Sequence, residues 1–154
     1  MTADDPELRV SKIESGTVID HIPGGLALTV LGVLGIDGEG DATVSVGMNV
    51  PSDRLGRKDI LKVEGHELSQ SELDVLSLIA PEATVNIIRG YEVAEKFRVE
   101  RPTEVVGVLA CPNPNCITNA GEPAEARFTV LDAGVRCTYC ETILREDITD
   151  HVQV

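Results

Sequence analysis

The chain has 154 residues, 42% hydrophobic but only 3% aromatic, and its 26 acidic against 13 basic side chains give a formal charge of −13. That length admits one domain or two small ones, and the charge disfavours non-specific contact with nucleic acid. No run of about 18 apolar residues is present to span a bilayer, and the opening MTADDPELRV is acidic where a targeting segment would be basic. The expectation is a cytoplasmic protein with neither membrane nor nucleic acid as partner.

Along the chain, residues 8–14 form a short extended segment, and 17–22 fit a buried strand built on Val18 and Ile19 and stopped by Pro23. Residues 25–34 carry Leu26, Leu28, Val30, Leu31 and Leu34, a helix weakened by its glycines, and the acidic, glycine-rich stretch 35–41 is a turn. Val44, Val46, Met48 and Val50 alternate as in a half-buried strand over 42–50, which Pro51 breaks, and Ile60, Leu61 and Val63 mark another over 58–64. Ser69 followed by Glu72 is a capping box, and Leu73, Leu76 and Ile79 continue at helical spacing until Pro81. Residues 83–88 are strand-like, and 91–99 add one more extended segment. The order β-α-β-β-α-β plus an extra strand predicts an α+β, ferredoxin-like (split βαβ) domain over residues 1–101, both helices on one face of an antiparallel sheet. Arg101-Pro102-Thr103 reads as the joint to a second, small zinc-ribbon-like β domain, 102–154, in which 105–110 runs into the first cysteine pair and strands cover 126–131 and 135–144.

Cys111 and Cys116 (CxxxxC) with Cys137 and Cys140 (CxxC) account for every cysteine. Four thiolates on two knuckles suit one tetrahedral Zn²⁺ per chain, and an all-cysteine set leaves no open position for water or substrate, so the metal is expected to be structural. Two disulfides are the alternative, disfavoured because short-spaced cysteine pairs suit a metal better. A redox CxxC leaves the other pair unexplained and lacks a thioredoxin-like strand-to-helix context.

Catalytic chemistry is missing. His21, His66 and His151 show no HExxH or other ligand spacing, and the glycines at 35, 38 and 40 are followed by no GK[ST]. Only four of the basic residues are lysines, at 12, 58, 62 and 96, against nine arginines. Such a balance fits the cytosol of a salt-accumulating cell, the alternative being an ordinary acidic protein.

GTVIDHIP at 16–23, GRKDILKVEG at 56–65, APEATVN at 80–86, YEV at 91–93 and CPNPNC at 111–116 occur in this order. Together they resemble the regulatory chain of aspartate carbamoyltransferase over nearly the whole length. The resemblance implies a non-catalytic subunit of de novo pyrimidine biosynthesis that pairs as a homodimer and links catalytic trimers through its zinc lobe. It implies nucleotide effectors, CTP inhibiting and ATP activating, with UTP assisting CTP in some members. By motif, the effector site falls on Asp20 and His21, Lys62, Asn86, Tyr91 and Val93, and Lys96, with Val10, Ile13, Val18 and Ile88 beside them. Lys58, two alternation periods from Lys62, shares its face in a regular strand and serves a second nucleotide or a dimer contact. Lysines suit a triphosphate as point charges with rotating donors. Three of the four fall in the motif segments; the bland alternative for Lys58 and Lys62 is a solvated strand face.

Asn113, Asn115 and Glu141 sit on the knuckles as candidate contacts to the catalytic chain, although asparagine in such loops also serves its own turn. Ser11-Lys12 stands where some relatives carry Glu-Ala, and Gly24-Gly25-Leu26 opens a helix poor in charge, so the sign of each nucleotide response stays open. A free-standing zinc-ribbon adaptor is the competing class. It would favour a basic ribbon, yet residues 101–154 hold only Arg101, Arg127, Arg136 and Arg145 against eight acids.

Overall fold

A computed structural model describes residues 13–36, 42–121 and 123–153. The first lobe runs β1 (Gly16–Pro23), α1 (Ala27–Val33), β2 (Val44–Ser52), β3 (Gly56–Glu64), α2 (Gln70–Ile79), β4 (Thr84–Arg89) and β5 (Glu92–Arg98). Its five strands pair antiparallel in the order β2-β3-β1-β4-β5. That is the split βαβ order, with β5 added outside β4.

Alternation along the strands decides which side chains meet the helices. Ile19 lies opposite both Leu61 and Val85, and these three are buried with Val30 and Leu34 from α1 and its cap, and Leu76 and Ala80 from α2 and its cap. The intervening residues point to the other face, where Val18, Ile60 and Ile88 form a small cluster with Ile13. β1 can lie this close to β3 because it begins with a glycine: a Cβ on Gly16 would stand 2.2 Å from the Val63 carbonyl oxygen.

Both halves of the capping box at α2 are formed: Glu72 N–H donates to Ser69 Oγ at 3.2 Å, and Ser69 N–H donates to Glu72 Oε1 at 2.9 Å. α1 is shorter than expected. Gly25 takes φ +95 and Leu26 N–H donates to the Pro23 carbonyl at 3.1 Å, so the chain turns there and helix begins only at Ala27. Leu26 offers no capping side chain; the carboxylate of Asp59, reaching across from β3, takes that place. Of the extended segment expected at 8–14, Ile13 and Glu14 carry no strand assignment, and the rest lies outside the described residues.

The second lobe is a four-stranded antiparallel sheet, β6 (Glu104–Val106), β7 (Arg127–Leu131), β8 (Gly134–Cys137) and β9 (Ile143–Leu144), with 3-10 turns at Ile117–Asn119 and Ile148–His151. The span expected at 135–144 is two strands, because the second knuckle reverses the chain and β9 pairs back on β8. Likewise only 104–106 of the approach to the first knuckle is strand; Leu109 bridges to Val152 near the C-terminal end. Val105, Leu109, Phe128, Val135, Leu144 and Ile148 fill the core, and Val75 of α2 enters the same cluster. One helix thus packs on both lobes, Leu76 facing the first and Val75 the second. Among the described residues no helix is long and apolar enough to cross a membrane.

Candidate functional site

The two knuckles bring all four thiols together. Cys111 Sγ lies 3.5 Å from Cys140 Sγ and Cys116 Sγ 3.8 Å from Cys137 Sγ, so each close pair joins one knuckle to the other. All four sulfurs lie within 4.8 Å of one another. A tetrahedron with metal–sulfur bonds of about 2.3 Å has edges of about 3.8 Å, so the set fits a tetrahedral metal. Disulfides are not formed: all four cysteines are free.

Hydroxyl groups flank the sulfurs. Thr118 Oγ1 donates to Cys116 Sγ at 3.2 Å, and the Thr142 hydroxyl sits 3.1 Å from Cys140 Sγ. Burial pushes the Cys111 thiol up to about 12. Cys140 is also desolvated, but hydrogen bonds from the Thr142 side chain and backbone hold it down to about 6. Four ionised sulfurs this close repel one another, and a bound dication relieves that repulsion by taking all four as thiolates. Cys111, Cys116 and Cys137 are buried, Cys116 and Cys137 at 1% and 0% exposure, which suits a closed structural centre.

The second candidate site is the helix-free face of the first sheet. In register, Ser45 lies opposite Lys62, Lys62 opposite Val18, Val18 opposite Asn86, and Asn86 opposite Lys96. Directly opposed residues share a face, so this one row crosses all five strands with a lysine near each end. A second row runs Asp20, Thr84, Arg98, and a third runs Gly16, Ile88, Val93. Ile13 packs on Val18, Ile60 and Ile88 between these rows. Tyr91 is 63% exposed at φ +65, and its N–H donates to the Glu14 carbonyl, which ties the β4–β5 hairpin to the segment leading into β1.

Lys58 and Lys62 are 6% and 3% exposed, not a solvated strand face. Lys58 Nζ contacts Asp20 Oδ1 at 3.0 Å and Oδ2 at 3.2 Å. Asp20 Oδ1 also accepts the His21 N–H at 2.6 Å, and His21 Nδ1 is 2.9 Å from Thr84 Oγ1. Desolvation lowers the His21 pKa, and Lys58, Arg54 and Lys96 lower it further while Asp20 opposes them. Val10 lies outside the described residues; the other expected effector residues come together on this face or at its rim.

On the knuckles, Asn113 Oδ1 accepts the Asn115 N–H at 3.0 Å, the local turn role that asparagine performs in loops. Asn115 and Glu141 are exposed, Glu141 at φ +65. Sequence reasoning missed Thr118 and Thr142, although the signal is there: threonine stands two residues after the second cysteine of each knuckle, in CIT and CET. It also missed Asn119, whose Nδ2 donates to the Cys111 and Asn113 carbonyls at 2.9 and 2.7 Å, and Asp59, which no motif reading singles out.

A split βαβ sheet with a cation-bearing helix-free face, joined through a shared helix to a four-cysteine ribbon, defines a two-lobe protein in which one lobe offers a polar sheet face and the other a thiol cluster that fits a metal. Family models match both: the aspartate carbamoyltransferase regulatory chain allosteric domain over residues 8–100, and the metal binding domain of the same chain over residues 103–150. The aspartate carbamoyltransferase regulatory chain of Natronomonas pharaonis is 68% identical over 150 residues, 97% of this chain and 98% of the relative. That of Haloarcula marismortui is 66% identical over 152 residues (99% and 98%), and that of Thermoplasma acidophilum 49% over 142 (90% and 94%). The chain therefore belongs to the aspartate carbamoyltransferase regulatory chain family, a non-catalytic subunit with an allosteric and a metal-binding domain.

Proposed function

We propose that this chain binds nucleotide effectors on its helix-free face and passes their effect to catalytic chains of aspartate carbamoyltransferase. CTP is the inhibitor and ATP the activator, with UTP an auxiliary effector, in the de novo pyrimidine pathway. The observation that carries this reading is the row Lys62, Val18, Asn86, Lys96, continuous across four strands. Its lysines suit a triphosphate, its asparagine suits a base or ribose edge, and the apolar patch of Val18, Ile60 and Ile88 suits a base plane. Residues 1–101 are assigned to this role.

Residues 102–154 are assigned to a zinc lobe that grips the catalytic chain. Sulfur-only ligation on tetrahedral spacing supports Zn²⁺, one per chain. Asn115 and Glu141, exposed on the two knuckles, are the contacts offered to the partner, with Asn113 shaping the loop of the first. The homodimer and the linking of catalytic trimers follow from the family resemblance. We place the chain in a cytoplasm of high salt, which the scarcity of lysine and the relatives from haloarchaea support. There the Debye length falls to about 3 Å at 1 M salt, so direct contacts carry recognition.

Calorimetric titration of the zinc-loaded chain with CTP in molar salt tests the effector site. Saturable binding is expected, weakened roughly tenfold in Lys96→Ala, a loss of about 1.4 kcal/mol. Wild-type affinity in Lys96→Ala would overturn the assignment of that lysine, and no binding to the wild-type chain would overturn the effector reading itself.

A further inference from the structure

Two bulges interrupt the sheet beside one short stretch of β3. Against β1 the register slips between Ile19 and Ile22, and against β2 it slips between Gly47 and Val50. Each slip contains a non-glycine residue in the left-handed region, His21 at φ 58 and Asn49 at φ 57. Such a conformation needs support from its surroundings, and both bulges flank Lys58, Asp59 and Ile60. Consecutive residues of a strand point to opposite faces. Lys58 holds the first bulge on the helix-free face by its contacts to Asp20, so Asp59 reaches the helix side.

Asp59 has no exposure. Its Oδ2 accepts the N–H groups of Gly25 at 2.9 Å and Ala27 at 2.8 Å, and its Oδ1 accepts that of Asn49 at 2.9 Å. One carboxylate thus fastens the turn that follows the His21 bulge to the Asn49 bulge on the far side of β3. Close packing agrees: a Cβ on Gly24 would stand 2.9 Å from Asn49 Oδ1. Three backbone donors of this kind hold a buried carboxylate in place, and the buried Ala27 N–H would otherwise be orphaned inside the protein.

We propose that Asp59 is a positioning residue for the effector face: by clamping the 23–27 turn to the Asn49 bulge, it fixes the strained His21 bulge that presents Asp20 and His21. The proposal rests on the reading of that face as a nucleotide site, and it ties α1 to the same site. Asp59 touches no nucleotide; it acts through the backbone on the residues that do.

The test uses Asp59→Asn, which keeps size but turns an amide NH₂ toward backbone donors, and Asp59→Ser, which keeps one acceptor should the amide variant fail to fold. Leu76→Val, in the helix-side core, controls for lost stability alone. On each full-length, zinc-loaded chain, NMR reads the His21 imidazole titration and the backbone shifts of residues 20–22, and calorimetry reads CTP affinity. In the Asp59 variants, the His21 pKa is expected to move back toward its ordinary value of 6.5, the His21 backbone shifts to leave left-handed values with changes at residues 20 and 22 beside it, and CTP affinity to fall roughly tenfold. The control keeps wild-type values of all three. Unchanged His21 titration and CTP affinity in a folded Asp59 variant would overturn the proposal and leave a stabilising role only. The imidazole readout needs no nucleotide, so a wild-type chain that fails to bind CTP overturns the effector reading while the clamp is still judged on His21.

Discussion

In the five-stranded lobe the core cluster of the described residues consists of twelve buried apolar residues, all supplied by that lobe. In the C-terminal lobe three of the twelve buried residues of the cluster formed by the described residues are cysteines of the four-thiol set, and a fourth, Val75, is borrowed from α2. The first lobe is stabilised by burying apolar surface between helices and sheet, whereas the second has too little chain to do so alone. A metal held by the four cysteines would therefore act there as a core residue does. On the proposed assignment, what joins the ribbon to a partner depends on the metal, while the sheet that carries Lys62 and Lys96 does not.

Removing the metal should break this contrast open. Metal coordination in small zinc modules is worth on the order of 10 kcal/mol, so chelation, or Cys137→Ser at a fully buried ligand, should collapse β6–β9 and abolish partner binding. Backbone NMR of the first lobe is expected to keep its sheet pattern and its CTP response, apart from the Val75 side of α2, which the collapse would uncover. Next in size is Phe128→Ala. Among the described residues its ring is the largest fully buried side chain, and its loss should cost about 3–5 kcal/mol, read as a lowered unfolding midpoint of the ribbon and weakened zinc retention without a ligand being touched.

A smaller effect sharpens the same contrast at the metal's outer shell. Thr118→Val or Thr142→Val removes a hydroxyl from a thiolate, and zinc affinity by competition with a chelator should fall by about tenfold or more. The CTP titration should stay where it is. Least of all is the pH dependence carried by His21 in the other lobe. Its folded pKa lies below 6.5, so the unfolded chain takes up the proton first; the stability this group contributes is present above about pH 6.5 and is lost as the pH falls through the folded value. His21→Gln should flatten the fall in melting temperature over that acid range.

Much of this was legible in the residues. The period-two runs and the Ser69–Glu72 box announced the split βαβ order, because alternation and capping are local and tertiary contacts agreed with them. The cysteine spacing announced the metal centre for a similar reason: two short-spaced knuckles with four soft ligands admit few other uses. The bulges were not legible. Met48 keeps the alternation of Val44 and Val46, yet it lies in a slip of register that only the pairing partner reveals. Nor was Asp59: in a motif of charged residues nothing marks which carboxylate is buried, and its three donors come from segments 32–34 and 10 residues away. Thr118 and Thr142 were in plain view, two residues past a cysteine in each knuckle, but a threonine matters there only once the sulfur beside it is placed.

The most direct test of the account is the aspartate saturation curve of the cognate catalytic trimer in high salt, with zinc-loaded chain added, with and without CTP or ATP. Wild-type chain should make the curve shift with nucleotide, by a coupling of about 1–3 kcal/mol, and Lys62→Ala should assemble equally well but leave the curve unmoved. A curve that ignores nucleotide although the wild-type chain has joined the trimer, or one that responds to CTP just as strongly with Lys62→Ala, would contradict it.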